Sequence, residues 1–307
     1  MTRTLAAPRG VTRARPRAVN PAYWFVAPGL SVIAVFFFVP VAASVLLSLT
    51  DFDIYAVASR ANLRLVWLGN YARLLRDPLF WVALRNTVYF VLVAGPLSIA
   101  VSLGAALLVT ARLVRFKAVF RTIFFLPVVT TLVAIAVVWR YVYHPRFGLL
   151  NYGLAVCGLG PIDWLGSPSW AMPAIILMAV WKNFGFNMVI FIAGLQSIPE
   201  RLYEAASIDG AGAAAQFRHV TVPMLAPTFL FVTVITAIGY FQLFAEPYVM
   251  TRGDPLQSTV SVLYYMYEEG FKWWSLGRAS AIAFLLFGLI LVVTAALLRW
   301  QRRGEAA

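Results

Sequence analysis

Polar side chains are rare inside the apolar runs of this sequence, so the few that occur there stand out. Lys182, Asn183 and Asn187 interrupt the run 171–195, and Gln242 interrupts the run 222–245, with Glu246 four residues on. On a helix Asn183 and Asn187 share a face, and Lys182 is turned from Asn183 by about 100°. Amides and charges of this kind could hydrogen-bond a hydroxylated solute along a hydrophilic path. Trp181, Tyr240 and Phe241 stand beside them and could offer flat apolar faces to sugar C–H groups. Two plainer readings compete: hydrogen bonds between helices, worth about 0.6–2 kcal/mol each, and a Lys182 that snorkels toward a membrane interface.

Covalent chemistry finds little support. Glu204 and Asp209 are acids without a paired base, and His144 and His219 are too far apart in sequence to suggest a metal site. Cys157 is the one cysteine, which excludes an intrachain disulfide. No Gly-Lys dipeptide occurs, so the phosphate-cradling Gly-x-x-x-x-Gly-Lys-[Ser/Thr] loop is missing. No catalytic residue, metal or cofactor is expected, and any ATP hydrolysis has to come from another chain.

The elements that would position the polar residues are membrane spans. Of 307 residues, 62% are apolar and 12% charged, about half the charge a soluble domain usually carries. The apolar residues come in blocks long enough to cross a bilayer as helices, without the ten-residue alternation of a β-barrel. Six spans are expected, at roughly 24–49, 84–110, 119–143, 171–195, 222–245 and 279–299. The run from Trp24 is too long for the core of a cleaved signal peptide, so it reads as the first span. Basic residues bias the orientation. With both termini cytoplasmic, the inner segments hold 14 basic and 4 acidic residues and the outer ones 10 and 8. The inner count includes Arg3, Arg9, Arg13, Arg15 and Arg17 of the tail 1–20 and the cluster Arg112, Arg115, Lys117 and Arg121; Arg60, Arg64, Arg73, Arg76 and Arg85 run against the bias. The net charge of +13 thus reads as topology, not nucleic-acid binding.

One membrane domain, 21–303, is expected, with its core at about 80–300 and a short tail at 304–307. The prolines at 28, 40, 96, 127 and 173 read as packing kinks, with hinges as the alternative. Ser98, Ser102 and Ala106, four apart, let another helix approach closely, in this chain or a partner. The aromatic stretch from Tyr264 to Trp274 reads as a short segment lying along the membrane interface.

Between the fourth and fifth spans, residues 198–222 read as an amphipathic elbow. Ser197 with Glu200 suggests a capping box. Leu202, Ala205, Ala206 and Ile208 form an apolar stripe, and Gly210 suits a left-handed helix end. So short an elbow wants a partner surface. Here the sequence resembles a known family. Glu204-Ala205-Ala206, Asp209-Gly210-Ala211 and Pro223 match the signature of the membrane subunits of bacterial ABC importers. The runs 181–188, 193–199, 248–255 and 277–281 are similar to the sugar-importing branch. Ala214 stands where relatives often carry a large aromatic, and Val222 where leucine is usual.

The resemblance implies the all-α, type I importer permease fold in a bacterial inner membrane. It implies a second permease subunit, two ATPase subunits, an external solute-binding protein and surrounding lipid as partners. Glu204, Ala205, Ala206, Asp209, Gly210, Phe217 and Pro223 would serve ATPase coupling. The expected cargo is a sugar or polyol; glycerol phosphate and polyamines are alternatives within the family. An ion-coupled secondary transporter is the rival outside it, and usually shows a repeat between chain halves.

Overall fold

A computed structural model describes residues 22–58, 63–111 and 114–304. The tail 1–20, Arg60, Arg112 and residues 305–307 lie outside the described residues. Among the described residues the chain is helical, and its one β feature is an isolated bridge between Thr50 and Leu65.

The chain divides after Leu46 into two compact units. The first holds α1 (Ala22–Ile33), a π-helical turn (Ala34–Phe38) and most of α2 (Val39–Ser48). Pro40 lacks the N–H that would bond the Phe36 carbonyl, and the helix widens at that point. The second unit begins with α3 (Ile54–Ala58), α4 (Gly69–Arg76), α5 (Pro78–Thr110), α6 (Lys117–Val129), α7 (Leu132–Val142) and α8 (Leu149–Val156). It continues with α9 (Pro168–Gln196), α10 (Glu200–Ile208), α11 (Ala213–Gln216), α12 (Val222–Met224) and α13 (Ala226–Phe241). It closes with α14 (Ala245–Met250), α15 (Val262–Tyr267) and α16 (Leu276–Gly304).

Four expected spans are continuous helices long and apolar enough to cross a membrane: Trp24–Ser48, Pro78–Thr110, Pro168–Gln196 and Leu276–Trp300. The other two are not straight. The expected span 119–143 is bent by 98° between α6 and α7, and the fifth is bent by 65° between Ala213–Met224 and Ala226–Phe241. The count is six if each bent pair is one span. Thr130 and Thr131 are extended at the first break, just after Pro127, so this proline marks more than a packing kink. At the second, Leu225 separates the pieces and Pro227 sits in the first turn of α13, where its missing N–H costs nothing. α13 ends at Phe241 instead of 245, which leaves Gln242 and Glu246 beyond it.

α5 starts six residues earlier than expected because Asp77 caps it. The Asp77 carboxylate accepts from the Leu79 amide at 2.9 Å, with Pro78 in the first turn. Ser98, Ser102 and Ala106 are fully buried, and the Ser102 hydroxyl donates to the Phe184 carbonyl of α9 at 2.9 Å. The small-residue stripe is therefore an interface inside this chain. Gly185 of α9 is as tight: a Cβ there would run into the Phe124 carbonyl and the Phe125 backbone of α6. Apolar residues such as Phe287, Leu291 and Val292 of α16 remain exposed, as a lipid-facing surface requires.

Candidate functional site

The bend between α6 and α7 leaves helix-end carbonyls without partners. Lys182, on α9, meets them: its ammonium donates to the Pro127 and Val128 carbonyls, each at 3.4 Å. A cation at a helix C-terminus also complements the helix dipole. Lys182 is only 8% exposed, so it does not snorkel.

This corner forms the wall of a cavity of about 530 Å³. All four polar residues singled out in the sequence line it: Lys182, Asn183, Asn187 and Gln242. Asn183 and Asn187 reach it from one face of α9, and Asn187 donates to the Thr236 hydroxyl of α13 at 2.9 Å. Gln242, exposed, is the first residue past α13, and Glu246 is buried on α14. Tyr240 adds a buried ring and hydroxyl beside Asn183, and the ring packs edge-on to Phe90 at 5.1 Å. The cavity thus combines donors and acceptors with aromatic faces.

Of the three aromatics paired with these residues on sequence grounds, only Tyr240 lines the cavity. Phe241 is buried in the core, and Trp181 packs on Trp139 at 5.4 Å beside a separate apolar groove. Phe90, Thr236 and Phe244 also line the cavity, without having been singled out. No local spacing marks them. Thr236 is found only through Asn187, 49 residues away.

The elbow departs from the expected capping box. The Ser197 hydroxyl donates back to the Gly194 carbonyl at 2.7 Å and closes α9, while Pro199 precedes α10 without a side-chain cap. The other end is as expected. Gly210 has φ +81°, the Ala211 amide bonds the Ala206 carbonyl at 2.8 Å, and the Gly210 amide bonds that of Ser207 at 3.1 Å. This is a full Schellman closure. Gln216 reaches back to the Ser207 hydroxyl at 2.9 Å and the Ala211 carbonyl at 3.0 Å, and Tyr203 meets Thr221 at 2.9 Å. These bonds hold the two arms together. Glu204, Ala205, Asp209, Gly210, Phe217 and Pro223 are exposed, Ala206 is half-buried, and Ile208 is 87% exposed.

At the opposite end of the unit, polar residues tie three helices. Arg278 of α16 bonds Asp77 and the Tyr265 hydroxyl, and approaches Glu269 at 3.5 Å. The Tyr265 hydroxyl donates to Asp77 at 2.6 Å. Burial opposes charge on Asp77, but the Tyr265 hydroxyl, the Leu79 amide and Arg278 outweigh it and hold its carboxyl below the usual range. Burial pushes Glu269 up, against the pull of Arg278. Within the aromatic stretch Tyr264 and Tyr265 are buried, and this cluster and the Arg252 carbonyl engage their hydroxyls.

The family model described as "Binding-protein-dependent transport system inner membrane component" matches residues 98–304. Similar chains include the lactose transport system permease protein LacF of Rhizobium radiobacter, 36% identical over 88% of this chain and 90% of that one. The arabinooligosaccharides transport system permease protein AraP of Bacillus subtilis (strain 168) is 31% identical over 89% and 85%. Among solved structures, a bacterial ABC transporter involved in the import of the acidic polysaccharide alginate superposes with a TM-score of 0.76 at 22% identity, covering 92% of this chain and 95% of that one. That likeness carries the fold. With the helical membrane architecture, these matches make the chain a multi-pass transport component and not an enzyme: it belongs to the inner membrane components of binding-protein-dependent transport systems, the permease subunits of ABC importers.

Proposed function

We propose that this chain forms the translocation path for a sugar or oligosaccharide and is driven by a separate ATPase docked on the elbow 198–222. The observation that carries the reading is the single cavity in which Lys182, Asn183, Asn187 and Gln242 converge with Tyr240 and Phe244. Amides and hydroxyls facing aromatic rings are the chemistry of sugar binding, and permeases named for lactose and arabinooligosaccharides are similar over most of the chain. ATP binding would close an ATPase pair, and the elbow would pass that motion to α9 and α13, which enter and leave it. The exposed Ile208 and Glu204 suit a docked surface. A second permease subunit and an external binding protein complete the assembly; a periplasmic protein is present in a solved alginate transporter complex. The charge bias supports a cytoplasmic position for both termini.

Co-purification tests the coupling. Expressed with its genomic neighbours, the chain is expected to bring down an ATPase subunit, and Glu204→Lys or Gly210→Trp to lose it while the fold is retained. Uptake in proteoliposomes tests the path: Asn187→Ala is expected to lower sugar transport without releasing the ATPase. A chain that purifies alone and moves solute without ATP would make an ion-coupled carrier the working description. Uptake of glycerol phosphate or a polyamine in place of sugar would change the cargo alone.

A further inference from the structure

Phe244 lines the cavity and also begins a chain of aromatic rings that leaves it. Its ring lies 5.0 Å from Tyr267 and 5.3 Å from Tyr248; Tyr248 and Tyr267 meet edge-on at 5.3 Å. Tyr267 then stacks on Phe271 at 5.3 Å. From half-buried Phe244 and Tyr267 the line reaches Phe271, 64% exposed, with Tyr248 beside it at 43%. The strip therefore climbs from the cavity to the surface. It does so at the end of the unit away from the elbow, since α13 runs from the elbow to Phe241 and the strip follows it. Hydrogen-bonding groups flank it: Lys272 and Glu268, paired at 2.8 Å, sit on the same turn as Tyr267 and Phe271.

Aromatic faces packed only for stability would be covered, as Tyr264 and Tyr265 are. Rings that serve a lipid interface need no continuity with a polar cavity. We propose that Phe244, Tyr248, Tyr267 and Phe271 form an entry site on which pyranose or furanose rings stack their C–H faces before passing into the cavity. This rests on the sugar reading above. The flanking charges and tyrosine hydroxyls take the sugar hydroxyls, and the sequence tolerance of stacking lets successive sugar units move along the strip.

The test uses the complete importer in proteoliposomes with its binding protein and labelled lactose, arabinotriose and maltotriose. Phe271→Leu and Tyr267→Leu keep an apolar, lipid-compatible side chain but remove the ring. They are expected to slow uptake about two- to tenfold, the range of one aromatic contact, and Phe271→Trp is expected to retain it. Basal ATP hydrolysis and its stimulation by the binding protein should be unchanged. Wild-type uptake in both leucine variants would overturn the proposal, as would a loss in which stimulation by the binding protein also disappears, since the strip would then be a protein-docking surface. A wild type that moves none of the three sugars would take down the sugar reading and this one with it; sugar uptake untouched by the variants would remove the entry site alone.

Discussion

Lys182 shows how one side chain can carry two tasks. Its ammonium is buried against the Pro127 and Val128 carbonyls, and it also lines the cavity, as Glu246 does. The carbonyl acceptors offset part of the cost of burying an ammonium. Lys182→Met removes the donor and leaves both carbonyls without it. A buried acceptor left unsatisfied costs about 1–3 kcal/mol, so the variant is expected to melt earlier in detergent and to lose transport. An unchanged melting temperature would show that the two carbonyls find other donors. The identity of Lys182 was readable as an anomaly in an apolar run; its carbonyl partners, 54 and 55 residues away, were not.

At the scale of elements, the close approach of α6 and α9 depends on Gly185. A Cβ at this position would overlap backbone atoms of α6, which cannot rotate away as a side chain could. Gly185→Ala is expected to destabilise the protein by about 1–3 kcal/mol, the usual cost of overpacking, and to open the bend that Lys182 closes. Thermal melting of the purified chain, with uptake measured alongside, checks it; an unchanged melting curve would mean that α6 shifts freely. Gly104, also within a span, has open space at its Cβ, so Gly104→Ala serves as the control and is expected to be neutral or slightly stabilising.

At the scale of the whole molecule, Asp77, Tyr265, Glu269 and Arg278 join α5, α15 and α16 across some 200 residues of sequence. The carboxyl of Asp77 sits below its ordinary value of 3.8. Its contribution to stability is therefore complete above that value and lost as pH falls through the lower folded value. Glu269 has the opposite sign. Its carboxyl is raised above 4.5, so the folded state favours the neutral form, and its cost grows as pH rises from 4.5 through the folded value. Asp77→Asn is expected to melt earlier at neutral pH and to decline less steeply below about pH 4. Glu269→Gln is expected to flatten the loss above that range. Parallel pH–melting curves for the wild type and Asp77→Asn would show that the cluster does not hold the three helices.

The sequence by itself determined the class of this protein. Apolar blocks of span length leave the backbone no solution in lipid but helices, and a local signature from Glu204 to Pro223 placed the chain in its family. Gly210 was legible for a local reason as well, since a left-handed helix end falls on the residue that lacks a Cβ. Local spacing also made Asn183 and Asn187 neighbours. What only the tertiary structure decided is where chains of contact close over long separations. The breaks at Thr130 and Leu225 turn two apolar runs that read as straight spans into bent pairs. Ser197 closes the preceding helix, its hydroxyl donating to the Gly194 carbonyl, and the next helix opens at Pro199 without a side-chain cap. Tyr264 and Tyr265 turn inward because Arg252, Asp77 and Arg278 offer partners there. The cavity itself needs α5, α9, α13 and the bend of α6 and α7 at once. Hydrophobic periodicity specifies which residues face lipid or protein, but it carries no information on which polar group on another helix will be there to meet them.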